Sequence, residues 1–491
     1  MTVSDTGGKR QFWFNAQPLI ESSQFIHIVQ QRPIKHPRNP LLVADKPWEG
    51  TVVQLYSCDV HHDPSTGQWQ LWYEGHPMEV LLCTAFSNDG LRWTKPNLGI
   101  QSYKGSKDNN IILQTGYWDA HCASIVKAPT EKDPARKYKL YYWVGPGWYD
   151  KNNPHHTAVG PMSEDYKANG HYVAFSPDGV HFTPKTDEPV LKTSDFNTVL
   201  FDESAGKYRS YHKIEHKAPG WEIDRRCMFT SESEDGITFC PSRPALLPDK
   251  TDDELAQAVG GIRAEFYGMH VWPHEGFYLG LLWVFQVTKG NAKLGRGWDD
   301  GRILPQLVYS ADGVDWKRLP VREPFIEAGP ACNFDCGSIY TSGDHPVVLR
   351  DATRFYYFGV NYTHGRDLPI NSPQNYSGVG LAEMPRDRYV GWYGGTQPAT
   401  LVTKPLKFAG KTLHVNLDAG RGEARVALLD AGGKAYPDFS LEDCRLMTAD
   451  GLDQVVSWKG GTDVSSLAGK PVKVQFSFRH STLYTWQFAH Q

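Results

Sequence analysis

Runs of apolar residues, about four to eight long, recur along this chain between segments rich in Gly, Pro, Asn and Asp, and many alternate apolar with polar positions. That period belongs to strands rather than helices. Residues 68–75, 138–144, 208–214, 277–285 and 354–361 are the most aromatic runs, and each predicts a half-buried strand. An acid-led apolar run precedes each of them, as in Glu265-Phe266-Tyr267-Gly268-Met269-His270-Val271-Trp272. A third run follows and ends in a Ser-x-Asp-Gly turn with an aromatic residue just beyond. The copies are Ser87-Asn88-Asp89-Gly90 with Trp93, Ser176-Pro177-Asp178-Gly179 with Phe182, Ser233-Glu234-Asp235-Gly236 with Phe239, and Ser310-Ala311-Asp312-Gly313 with Trp316. Asp-Gly between two such runs predicts a hairpin, because Gly tolerates the positive φ that the turn requires. In the fifth copy Met384-Pro385-Arg386-Asp387-Arg388 replaces the turn.

The leading acids are Glu49, Asp119, Asp195, Glu265 and Asp335, spaced 70, 76, 70 and 70 residues apart. A fixed period of one supersecondary unit marks a repeat architecture, and five units of three or four strands predict an all-β fold, a five-bladed β-propeller. From about Thr400 the acid-led runs stop, and alternating runs at 412–417, 424–429 and 472–478 predict a small C-terminal β-sandwich. The expected organisation is residues 1–40 as a leading strand and strap, 41–398 as the propeller and 399–491 as the sandwich. One helix is expected, over 252–259.

Composition adds little against this. With 491 residues the chain exceeds an ordinary single domain, and a net charge of −4 gives no reason to expect nucleic acid or an anionic membrane as partner. The 16 Trp, 24 Tyr and 22 Phe suit strands and also sugar stacking. Eight dispersed cysteines, with Cys332 and Cys336 the only close pair, predict buried thiols rather than a disulfide framework or a zinc site. The polar stretch Met1–Arg10 lacks the apolar core of a signal peptide, and no run reaches the roughly 20 apolar residues of a membrane span. The chain as written is therefore expected in the cytoplasm, or in the periplasm or outside the cell if a leader has been removed. Its oligomeric state is open.

In a propeller the first strands start on one face, where the loops between second and third strands also lie; the Asp-Gly turns occupy the other. The loops at 145–170, 286–302 and 362–378 are long, as the walls of a pocket would be. The five acids then converge near one axis. Clustered carboxylates repel, so some should be protonated while others stay charged, the split that glycoside hydrolysis uses. Glu49, Asp119, Asp195 and Glu265 are the candidate catalytic acids. Asp335, His62, His121, His270, Arg225, Trp118, Trp298 and His364 are candidates for binding a carbohydrate substrate. The alternative for each acid is a strand cap or an ion pair. No HExxH or paired-Cys spacing supports a metal, so no cofactor is expected, although an ion in the central channel fits the architecture.

Over residues 40–395 these repeats resemble the five-bladed propeller glycoside hydrolases, the superfamily of families 32, 43, 68 and 117. The segments Pro47-Trp48-Glu49-Gly50, Phe266-Tyr267-Gly268-Met269 and Phe334-Asp335-Cys336-Gly337-Ser338 resemble those of uncharacterised bacterial family 32-like proteins. The resemblance implies catalytic acids in the first three blades, here Glu49, Asp119 and Asp195. This chain has Glu where the families have Asp in blade one, and Asp where they have Glu in blade three, so Glu265 is a further candidate acid. The expectation is a glycosidase that releases a terminal sugar, furanosidic or acidic among the options. Glu49 would be nucleophile or base, Asp119 the transition-state stabiliser, and Asp195 or Glu265 the general acid. A non-catalytic carbohydrate-binding propeller is the alternative.

Overall fold

A computed structural model describes residues 3–56, 59–77, 80–114, 120–145, 168–289, 299–343, 345–365 and 374–490. The described chain is almost entirely strands and turns, an all-β protein. Among these residues no helix is long and apolar enough to cross a membrane. Two compact units emerge, one of residues 33–347 and 354–383, the other of residues 1–32, 348–353 and 384–491.

The first unit holds five antiparallel sheets in succession. Sheet one runs Val53–Gln54 with Val60–His62, then Trp69–Gly75, Leu81–Ser87 and Ile111–Leu113. Sheet two is His121–Lys127, Tyr138–Val144, Gly170–Ser176 and Thr183–Lys185. Sheet three is Asn197–Asp202, Lys207–His216, Arg225–Ser233 and Arg243–Leu246. Sheet four is Arg263–His274, Phe277–Lys289, Asp300–Ser310 and Trp316–Arg318. Sheet five takes Ser338–Thr341, Ala352–Val360 and Ser377–Pro385 in order, and its outer strand is the distant segment Ile34–Lys35, paired as Ala382 with Lys35 and Glu383 with Ile34. The chain thus closes its last blade with residues from its beginning.

One side-chain hydrogen bond links the sheets into a ring. In register, Trp69, Tyr138, Tyr208 and Tyr278 lie opposite the turn serines Ser87, Ser176, Ser233 and Ser310. Three residues further on, an aromatic donor reaches the turn glycine of the next sheet: Trp72 Nε1 to the Gly179 carbonyl (2.8 Å), Tyr141 Oη to Gly236 (2.8 Å) and Tyr211 Oη to Gly313 (2.7 Å). Tyr356 of sheet five donates to Gly90 of sheet one (2.7 Å), which closes the circle. Sheet four carries Leu281 at the equivalent position and sheet five lacks the Asp-Gly turn, so this seam has neither donor nor acceptor. A cavity occurs at that seam, lined by His270, Trp272, Leu281, Thr341 and Phe355, and it touches none of the repeat acids.

The turns themselves are built alike. In each, the serine Oγ accepts the glycine N–H and the Asp Oδ1 accepts two N–H groups just beyond. Each turn glycine sits at φ between 70° and 76°, and a Cβ there would press on the neighbouring sheet's aromatic ring or hydroxyl. Glycine is therefore required twice over, for its backbone and for its missing side chain.

The axis is filled rather than open. Tyr56 of sheet one packs edge-on against His121 of sheet two and against Tyr340 and Phe358 of sheet five, and tilts over Trp283 of sheet four. Phe196, leading sheet three, packs on the same Trp283 and on His270. The expected helix forms at Lys250–Ala258, because Asp249 and Asp252 make a capping box at its N-terminus.

The second unit contains a two-stranded parallel pair, Ser4–Gly7 with Leu406–Phe408, and two larger sheets whose inner faces share Phe476 and Trp486. One orders Asp450–Val455, Thr412–Asp418, Ser481–Ala489, Val390–Gly394 and Ile26–Gln30. The other orders Ile20–Gln24, Ala399–Thr403, Lys473–Arg479 and Glu423–Leu429. These boundaries differ from the expected 40/41 and 398/399. Residues before Arg32 and after Met384 pair with strands of this unit rather than forming a separate strap or ending the last blade. The expected loop at 286–302 also begins and ends as strand, because Phe277–Lys289 and Asp300–Ser310 continue the ladder past the core. The seven described cysteines are free thiols.

Gly236→Ala should lower stability by about 2 kcal/mol, since it combines a left-handed backbone with a clash at Tyr141 Oη. Gly206→Ala, at a similar φ of 66° but with open space around it, should cost about 1 kcal/mol. Equal urea midpoints for the two would remove the steric role given to the aromatic–glycine contact.

Candidate functional site

The first strands begin on a common face, and the described acids of the repeat are found there, each clamped by a cation from elsewhere in the chain. Glu49 is fully buried. Its Oε2 accepts from the Asp45 and Lys46 N–H groups (2.8 and 3.0 Å), its Oε1 accepts from Tyr73 Oη (2.5 Å), and Lys95 Nζ lies 2.7 Å away. Asp335 Oδ2 meets Lys35 Nζ at 2.5 Å and Tyr357 Oη at 2.8 Å. Glu265 accepts from Arg226 Nη1 (2.5 Å) on one oxygen and from Arg263 Nε (2.7 Å) on the other. Asp299 shares the same Arg226 Nη1 at 3.3 Å and takes the other arm of Arg263, Nη2, at 2.6 Å. Asp195 Oδ1 pairs with Lys213 Nζ at 2.5 Å.

These pairs are not equivalent. The side chains of Glu49, Glu265 and Asp335 are 0 to 2 % exposed, whereas that of Asp195 is 20 % exposed. Burial alone would raise the Asp195 carboxyl, but the Lys213 ammonium, with His121 and Arg226 behind it, holds it well below the usual carboxylate range. Lys213 also sits 3.8 Å over the Tyr267 ring, and Arg226 stacks between Tyr267 and Phe285. The expectation that the repeat acids would split by mutual repulsion is replaced by a different arrangement, in which an interleaved cation neutralises each described acid.

His364 belongs to this cluster. Burial and the nearby Arg226 charge push its imidazole down to about 3, so it is neutral. Nδ1–H donates to the Asp299 carbonyl (2.8 Å) and Nε2 accepts from Tyr267 Oη (3.1 Å). His121 opens sheet two between two left-handed residues, Ala120 (φ 70°) and Cys122 (φ 49°), a strained entry that non-glycine residues rarely adopt. Its Nδ1 lies 2.9 Å from Glu74 Oε2, and His76 Nε2 is 3.1 Å from the same oxygen. Burial would raise Glu74, yet the two imidazoles bring it down to about 2. The Glu74 charge in turn raises His121 against its own burial.

Other expected residues are placed elsewhere. His62 stacks on Trp69 (4.3 Å), which pairs with the turn residue Ser87, so it belongs to the opposite face. His270 is buried in the axial core, its Nδ1 bonded to Thr341 Oγ1 (2.8 Å). Arg225 forms a two-oxygen pair with Asp253 and anchors the helix. Asp119, Trp118 and Trp298 lie outside the described residues. Glu74, His76, Lys213, Tyr267 and Asp299 are the site residues that the repeat did not single out. Glu74-Gly75-His76 alternates out of a strand, which is the one local signal for that pair.

No family model matches the sequence, and no curated protein does. Among solved structures 156 chains match. An N-acetylgalactosamine deacetylase from F. plautii in complex with blood group B trisaccharide is 14 % identical over 74 % of this chain and 97 % of its own, with a TM-score of 0.46. A β-1,2-mannobiose phosphorylase from Listeria innocua is 12 % identical over 72 % and 97 %, TM-score 0.45. A thermostable family-43 glycoside hydrolase is 13 % identical over 70 % and 94 %, TM-score 0.42. Likenesses of this size assign the chain no activity.

Proposed function

We propose that the protein is a carbohydrate-active enzyme that cleaves a terminal sugar from an oligosaccharide or glycoside on the strand-start face. The observation that carries this reading is Asp195: ionised, one-fifth open, and bordered by the aromatic and cationic groups Tyr267, Lys213 and His121. A carboxylate kept charged suits a nucleophile, a base or a stabiliser of an oxocarbenium-like transition state. It does not suit a general acid, which must carry a proton. Glu265 and Glu49 have both oxygens engaged within the protein, and a positioning role fits them better than direct chemistry. Asp119 keeps its candidacy on sequence position alone.

A second reading has its own support. With three of the described repeat acids saturated by cations, a propeller that binds carbohydrate without cleaving it is also consistent with the site. A broad panel of aryl glycosides and plant or algal oligosaccharides separates the two. Released monosaccharide supports the enzyme, and calorimetric binding with no turnover on any member supports the binding protein.

Once a cleaved substrate is found, Asp195→Asn should lower kcat by at least about 1,000-fold while sugar binding persists. Retained turnover in a folded variant would remove Asp195 from the chemistry. Lys213→Met takes away the ammonium that holds the carboxyl low, so the Asp195 pKa rises. The acidic limb of the kcat/KM profile should then move to higher pH, and an unmoved limb would show that Asp195 does not govern it. Glu265→Gln should instead show mainly as lost stability, about 3 kcal/mol in urea unfolding, because it leaves two nearly buried guanidinium groups sharing the single carboxylate of Asp299.

A further inference from the structure

We infer that Glu74, His76 and His121 form a binding site for one divalent transition-metal ion of the zinc type. The three side chains each bring a ligand atom into one small volume, all such atoms lying within 4.8 Å of one another. Glu74 Oε2 is 2.9 Å from His121 Nδ1 and 3.1 Å from His76 Nε2. An ion about 2.1 Å from each ligand atom would hold neighbouring ligand atoms about 3.0 Å apart in octahedral and about 3.4 Å apart in tetrahedral geometry, so the two spacings to Glu74 need little adjustment. Two imidazole nitrogens with one carboxylate oxygen suit a borderline ion such as Zn²⁺ rather than Ca²⁺ or Mg²⁺, which prefer oxygen throughout.

Each ligand is held from behind. The Cys122 N–H donates to Glu74 Oε1 (2.7 Å), which leaves Oε2 turned toward the two imidazoles. Glu74 and His76 are two residues apart at the end of one strand, so their side chains leave the same side. His76 is pinned by its own N–H to the Glu49 carbonyl (3.0 Å) and by a bridge to Gly50. Gly50 sits at φ 64°, and a Cβ there would run into the His76 carbonyl. The Glu49 turn, fastened by its own carboxylate, is therefore the support of His76. His121 is delivered from the next sheet by the strained Ala120–Cys122 entry. A simple ion pair between Glu74 and a histidine would need neither the second imidazole nor this bracing from two sheets.

The site adjoins Asp195 electrostatically, and Tyr56 closes one side of His121 (5.4 Å between ring centres). The inference is independent of the proposed sugar cleavage, because metal binding is read without turnover.

The full chain, stripped with a chelator and exchanged into metal-free buffer, is titrated with Zn²⁺ alone by calorimetry, with elemental analysis after gel filtration. One Zn²⁺ per chain is expected. Glu74→Gln and His76→Gln should each weaken binding at least about 100-fold, with folding checked by circular dichroism, while His62→Gln on the opposite face changes nothing. X-ray absorption of the wild-type zinc complex serves where a variant fails to fold. It should show two imidazoles and oxygen at about 2.0–2.2 Å. No bound zinc, sulfur in the first shell, or equal binding by wild type and a folded Glu74→Gln would overturn the site.

Discussion

Closing five twisted sheets into a ring is the constraint on which the first unit depends, and it is met by an aromatic donor on four of the five second strands reaching the glycine carbonyl of the next sheet's turn. Four of the five seams use this contact, the last joining sheet five back to sheet one. Because the acceptor glycine has positive φ and no side chain, the donor ring can lie directly on the turn. The seam without it, between sheets four and five, is where the cavity lies. Sheet five recovers its outer strand from Ile34–Lys35 instead.

That ring fixes where the first strands begin, and so brings the acids that lead sheets one, three, four and five to one face. Charge clustered this densely is stable only if alternated in sign. Lys95, Lys213, Arg226, Arg263 and Lys35 supply the alternation, and in doing so distinguish among acids that look equivalent along the chain. Glu49 and Glu265 become braces, for the His76 support and for a pair of arginines. Asp195 keeps an open side, and the Lys213 ammonium holds its carboxyl below the usual range. The histidines divide in the same manner: His364 neutral and bonded at both nitrogens, His121 and His76 facing Glu74, His270 absorbed by the core.

Much of the fold was legible from local pattern. The alternation of apolar residues, the four Ser-x-Asp-Gly turns and the acid period each report on contacts between residues close in sequence. A strand's two faces and a turn's positive φ are properties of a few consecutive positions. The helix at Lys250–Ala258 was likewise expected, over 252–259, and its capping residue Asp249 moves its start two residues earlier. The domain boundaries were less legible, because pairing of residues 20–30 with strands near 390–403 carries no local mark.

The sequence by itself determined that the chain is an all-β repeat with its acids at strand starts, since strand period, turn chemistry and repeat length are written in neighbouring residues. Only the tertiary structure decided which of the described acids keeps an open side. Apart from Arg263 beside Glu265, the deciding cations stand 18 to 300 residues away, as Lys213 does from Asp195 and Lys35 from Asp335. The same holds for Glu74, His76 and His121, which meet because sheets one and two pack side by side. Electrostatics and coordination depend on distance in space, and the closed ring sets those distances.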